Sequence, residues 1–241
     1  MGLSHSPKIV TDNLMLCLDA ANRKSYSGSG NTWIDLSGNN RYGNILNGPT
    51  FTNDTSQCFS FDGSNDMITI NNGGSLAWLP DGSLGLSQFT IDMWVKSSDT
   101  SGVLYTKPWN GNGQYNIFVY SNSLYVNTGS GSSTISFGRQ VSNGTWTNIV
   151  CWANGTQIGY YINYNQHSGN QNHGLLSTIP SSGNAGITTG LMTLYPYGDG
   201  WVGNTSFSIQ GLLAVCKVYN RALTAQEIQQ NFNALRGRFG I

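Results

Sequence analysis

The sequence predicts an all-β fold, a two-sheet antiparallel jelly-roll sandwich with one short C-terminal helix. Three observations predict it. Apolar and polar residues alternate with a period of two in run after run, Gly/Asn/Asp turn pairs separate the runs, and a helical period occurs only near the end. The composition agrees: 31 residues are Gly, only 9% are charged and 12% are aromatic. Such a chain is rich in turn formers and in bulky side chains that can fill the space between two sheets.

Residues 1–12 are expected to form an extended N-terminal arm, suited to meeting another chain, and 13–241 a single domain. The first strand is LMLCLD, apolar on both faces until Asp19. CFSFD and MITI follow, separated by a turn at Asp62-Gly63. Phe89, Ile91, Met93 and Val95 alternate with Thr90, Asp92, Trp94 and Lys96, the pattern of a strand with one face in a core. Further runs are VLYT, YNIFVY, SLYVN, TISFG, WTNIVCWA, IGYYINY, LMTLY and LLAVCKVY. Turn pairs lie at 81–82, 143–144, 154–155 and 203–204. The helix begins after Thr224, which forms a capping box with Glu227, while Leu223 and Ile228 occupy the staple positions. Ile228, Phe232 and Leu235 line one face of it, Gly237 is placed to stop it, and Arg236 and Arg238 suit the negative end of its dipole.

Charge excludes some partners. Eleven basic and eleven acidic residues balance to zero, so nothing favours nucleic acid or an anionic membrane. No apolar stretch approaches the ~18 residues of a membrane span, and MGLSHSPKIVTDN lacks the apolar core of a signal peptide. Synthesis and folding in a reducing cytoplasm are expected. Cys17, Cys58, Cys151 and Cys216 each sit inside an apolar run, so they read as small buried hydrophobes.

Catalytic chemistry is scarce. Glu227 is the only glutamate, and the capping box accounts for it. Glycoside hydrolysis needs two carboxylates flanking one bond, and the nearest pair, Asp62 and Asp66, sits on a turn. His5 lies in the arm, while His167 and His173 are six apart in an Asn-rich loop, a spacing with no metal-binding specificity. No nucleophile elbow, phosphate loop or dinucleotide fingerprint occurs. The expectation is a protein that is not an enzyme.

Two constellations suit binding. Asp35 in WIDLSGNN, and Asp62 with Asp66 in FDGSND, put hard oxygen donors on tight turns. Such donors satisfy turn N–H groups or hold Ca²⁺. Trp109, Asn110, Asn112 and Tyr115 in one segment, and Tyr195, Tyr197, Asp199 and Trp201 in another, join flat aromatic faces to polar groups. Sugar contact, protein contact and lidding of the core are all open to them.

Several stretches resemble the laminin-G-like, concanavalin A-like domains of extracellular, bacterial-surface and bacteriophage structural proteins. They are the opening strand with WIDLSGNN, CFSFDGSNDMITI, FTIDMWVK, WTNIVCWANGTQIGYYIN and, most specific, GLLAVCKVYNRALTAQEIQQNFNALRGRFG. Together they cover about residues 13–239. The resemblance implies the jelly roll and a calcium ion on the turn carboxylates. Its hydrolase members carry a Glu-x-Asp-x-Glu strand, which is absent here, and Ala214 and Val215 stand where the family often has Asp-Glu. It is nearest to stand-alone virion proteins of tailed phages. That implies a non-enzymatic virion surface protein, as head decoration, head fibre or tail-associated jelly roll. It would be made in a bacterial cytoplasm, would form a homo-oligomer, and would meet capsid or tail proteins and host-surface glycans. A lectin-like adhesin is the alternative, and a glycoside hydrolase-like enzyme a second one.

Overall fold

The computed structural model describes residues 7–52, 56–71, 88–99, 102–107, 115–120, 123–128, 134–140, 144–154, 157–166, 171–172, 189–191 and 210–241. In chain order the strands are β1 (Leu14–Asp19), β2 (Thr32–Ile34), β3 (Tyr42–Leu46), β4 (Thr50–Thr52), β5 (Cys58–Asp62), β6 (Met67–Asn71) and β7 (Gln88–Ser97). They continue with β8 (Gly102–Lys107), β9 (Tyr115–Tyr120), β10 (Ser123–Thr128), β11 (Thr134–Gln140) and β12 (Thr147–Asn154). The last are β13 (Gln157–Ile162), β14 (Asn165–Gln166), β15 (Gln171–Asn172), β16 (Thr189–Leu191) and β17 (Gln210–Tyr219). One helix, α1 (Ala225–Leu235), follows.

The strands form two antiparallel sheets. The back sheet runs β14-β13-β12-β7-β17-β5-β4, with β1 also on β17 and β15 on β13. The front sheet runs β11-β10-β9-β8-β16-β6-β3-β2. β17 is the hub of the back sheet: β7 pairs along one edge, while β5 and β1 share the other. A bulge at Ala214 lets its carbonyl accept the Ala20 N–H at 3.0 Å.

Period-two alternation sends Phe89, Ile91, Met93 and Val95 of β7 into the core between the sheets, with Leu16, Leu18, Phe59, Phe61, Ile149, Cys151 and Val218. From the front sheet come Trp33, Ile45, Ile68 and Ile70. Burying each such side chain contributes about 1.5–3 kcal/mol. All four cysteines are buried. Gly159 lies opposite Trp152, and a Cβ there would stand 2.5 Å from the indole, so glycine makes room for the ring.

The other face of the back sheet is buried too. Cys17, Trp94, Val150, Val215 and Tyr219 project from it beneath Val10, Leu223, Ile228, Phe232 and Phe239. Trp94 stacks on Phe239 at 4.2 Å and on Phe232 at 5.7 Å between ring centroids. This double burial explains why LMLCLD is apolar on both faces. It also accounts for Ala214 and Val215, which pack under the helix where the resemblance leads one to expect acids.

The helix starts as predicted. Thr224 Oγ1 accepts the Glu227 N–H at 3.3 Å, and Glu227 Oε2 accepts the Thr224 N–H at 2.8 Å. Its end is a correction. Gly237 does not stop it; the chain continues as a 3-10 turn over Arg236–Phe239 and ends at Gly240, whose φ of 72° is left-handed. The extra turn carries Phe239 to Trp94 and Trp146. Arg238 consequently leaves the helix end, pairing with Asp19 at 2.6 Å and donating to the Ser56 and Gln57 carbonyls. Of the segment expected as an arm, Lys8–Val10 lie on the domain. Asn231 Oδ1 accepts the Val10 N–H, Tyr219 OH donates to the Val10 carbonyl, and Gln230 donates to that of Lys8.

Candidate functional site

Asp35 follows β2 and is buried. Its Oδ1 accepts the Cys17 and Ser37 N–H groups, both at 2.8 Å, and its Oδ2 accepts the Ser37 hydroxyl. The carboxylate thus clamps the turn after β2 onto β1. Asp62 and Asp66 flank the β5–β6 turn, where Gly63 has φ 78°. Asp62 Oδ1 accepts the Ser64 N–H at 2.7 Å, and Asp66 Oδ2 accepts the Asp62 N–H at 3.0 Å. Burial pushes the Asp66 carboxyl above its usual range; the Asp62 N–H bond opposes this and the Asp62 charge adds to it.

These three carboxylates do not converge. Among the described residues no three His, Cys, Asp or Glu side chains are grouped to hold a metal. Ca²⁺ takes about six to eight oxygen ligands, and the oxygens placed here are turning the chain. The bonds described at these donors close turns.

Of the aromatic constellation, Trp109, Asn110, Asn112, Tyr195, Tyr197, Asp199 and Trp201 lie outside the described residues, as do His5, His167 and His173. Tyr115 opens β9, opposite Lys107. The strands fix where the two segments attach. Residues 108–114 leave from the Lys107 end of β8. β16 is antiparallel to β8, with Gly190 opposite Thr106 and Leu191 opposite Tyr105. β17 begins at Gln210, opposite Asp62, where the Ser97 hydroxyl donates to the Gln210 carbonyl at 2.6 Å. The strands that precede the two aromatic segments, β8 and β16, therefore run in opposite directions, and β17, which follows the second, begins beside the Asp62–Asp66 turn.

The carboxylates decide what chemistry the framework can do. Asp54, Asp81 and Asp199 lie outside the described residues. Each of the other eight acids is engaged in holding the fold. Asp12 and Glu227 pair with Arg221, and Asp19 pairs with Arg238. Asp35, Asp62, Asp66 and Asp99 accept backbone N–H groups. Asp92 pairs with Lys217.

That last pair belongs to a buried polar network which the sequence reading missed. Asp92 accepts from Asn148 at 2.8 Å and from Asn231 at 3.2 Å, and Asn231 also donates to Tyr219 OH at 3.0 Å. Burial, above all, pushes the Tyr219 phenol far above its ordinary range. Three polar residues at outward strand positions in apolar runs read as solvent-facing; only the cover of α1 makes them interior.

The family model described as the concanavalin A-like lectin/glucanases superfamily matches residues 71–229. No curated protein matches the chain. Among solved structures it is similar to the binding domain of botulinum neurotoxin DC, seen in complex with rat synaptotagmin II. The TM-score there is 0.68 at 16% identity, over 94% of this chain and 52% of that one. It is similar to botulinum neurotoxin type C, whose cell entry is described as dependent upon interaction with two ganglioside molecules, with TM-score 0.66 at 16% identity, over 94% and 52%. It is also similar to Trypanosoma rangeli sialidase in complex with sialic acid, with TM-score 0.65 at 13% identity, over 98% and 36%. The chain spans about half the length of the toxin chains and about a third of the sialidase. At these identities the likeness establishes the jelly roll.

Proposed function

Because the chain belongs to the concanavalin A-like lectin/glucanase superfamily, we propose that it is a binding module and not an enzyme. The observation that carries this reading is the engagement of all eight described carboxylates in ion pairs or backbone bonds. A hydrolase needs a pair of acids free to face a substrate. The binding elements in this proposal are residues 108–114 with Tyr115 and residues 192–209, which carry Trp109 and Trp201. Aromatic faces beside Asn and Asp suit a glycan or a protein surface. Similar structures include one in complex with rat synaptotagmin II and one in complex with sialic acid, which is in keeping with either kind of partner.

The finer placement is a surface protein of a phage virion, assembled as a homo-oligomer on capsid or tail proteins. It rests on the resemblance of the C-terminal YNRALT-plus-helix segment and of the opening strand. Mass spectrometry of purified particles tests it, and particles lacking the chain overturn it. Glycan binding is tested on an array with Trp109→Ala and Trp201→Ala made separately, because β8 and β16, the strands before the two segments, run in opposite directions. A signal lost in one variant locates the glycan contact. No signal above both variants leaves protein contact as the module's role. Polysaccharide turnover that disappears in Asp62→Asn would overturn the non-enzymatic reading.

A further inference from the structure

Lys217 and Asp92 stand opposite each other on β17 and β7, two central strands of the back sheet. Both are sealed beneath α1, at 0% and 1% side-chain exposure, with Lys217 Nζ 2.7 Å from Asp92 Oδ2. A contact that short is ordinarily a charge-assisted hydrogen bond. Here, though, Nζ is aligned with no acceptor. The amine sits against the carboxyl group without lying along a hydrogen-bond direction.

Two amides hold that carboxyl in place. Asn148 donates to Oδ1 at 2.8 Å and Asn231 donates to Oδ2 at 3.2 Å. Both asparagines are buried, so their dipoles polarise Cγ in a dry layer where they act most strongly. A buried ion pair there is costly, because both ions have lost their water. An amide at the same place carries no charge.

We propose that Lys217 and Asp92 form an intramolecular isopeptide cross-link. The step is a condensation. One ammonium proton passes from Nζ to Oδ2, which leaves a neutral amine beside a neutral carboxylic acid. Nζ then bonds to Cγ, a second proton moves to Oδ2, and the Cγ–Oδ2 bond breaks with its electron pair leaving on water. Nζ keeps one hydrogen, and Oδ1 becomes the amide carbonyl, still accepting from Asn148. Nothing is oxidised or reduced, and one water is the only product lost. The register of β7 and β17 supplies the proximity that makes such a step intramolecular.

The cross-link is independent of what the module binds. Intact mass spectrometry of the purified full chain tests it. The expected mass is one water below the sequence value, with a branched tryptic peptide containing Asp92 and Lys217 and no cleavage after Lys217. Lys217→Met is expected at its full sequence mass. Wild-type protein at full mass overturns the proposal whether or not the variant folds. Loss of one ammonia would also overturn it, since that would place the bond on an asparagine. Loss of water without the branched peptide overturns it as well.

Discussion

Asp35 joins two segments that are far apart in sequence, because one oxygen takes N–H groups from both Cys17 and Ser37. Removing it leaves the buried Cys17 N–H without an acceptor, at a cost of about 1–3 kcal/mol. Asp35→Ala should therefore lower the urea midpoint by that equivalent, whereas Asp35→Asn, which keeps an acceptor oxygen, should lose less. The Asp62–Asp66 turn carries a different prediction. Its carboxylates already accept backbone N–H groups, so melting in calcium and in EDTA should give the same Tm. A rise with calcium would mean that the turn gathers further ligands. At this scale the sequence was half informative. Asp and Asn beside Gly marked turns correctly, but nothing in the spacing told a turn acceptor from a metal ligand, since both need the same oxygen on the same tight bend.

Elements were more legible where one rule governed them. The start of α1 was readable because Thr224 and Glu227 satisfy each other locally. Its end was not, because Phe239 finds its partners, Trp94 and Trp146, far away in sequence and draws one more turn out of the chain. The three-residue strands β2 and β4 escaped for a related reason, since one or two inward residues make no visible alternation. The helix start also offers a pH test. Arg221 grips Glu227 with two bonds, at 2.6 and 2.8 Å, and these, more than the Thr224 contacts, hold its carboxyl at about 2. A carboxyl lowered in the folded state adds stability above its ordinary value of 4.5 and loses it as pH falls towards 2. Glu227→Ala should cost about 1 kcal/mol at neutral pH. Denaturant midpoints of variant and wild type should then converge as the solution is acidified through that window.

At the scale of the molecule, the jelly roll was legible and its third layer was not. Strand alternation says which residues share a face, yet Asp92, Asn148 and Lys217 look alike on a wet face and on a covered one. The cover comes from both ends of the domain, α1 and Lys8–Val10, which meet at Asn231 and Tyr219. Deleting residues 1–10 should unseat that junction and cost about 1–3 kcal/mol for its unpaired buried groups, read as a lower urea midpoint.

The hub position of β17 sets an order of events during synthesis. β1, β5 and β7 all hydrogen-bond to Gln210–Tyr219, so the back sheet cannot close until that stretch has emerged from the ribosome. Until then β1 has no partner, and β5 and β7 each lack a neighbour on one edge, a state in which aggregation competes with folding. Yield in the cell should then depend on how quickly translation completes the last strand and on chaperones that shelter the earlier ones.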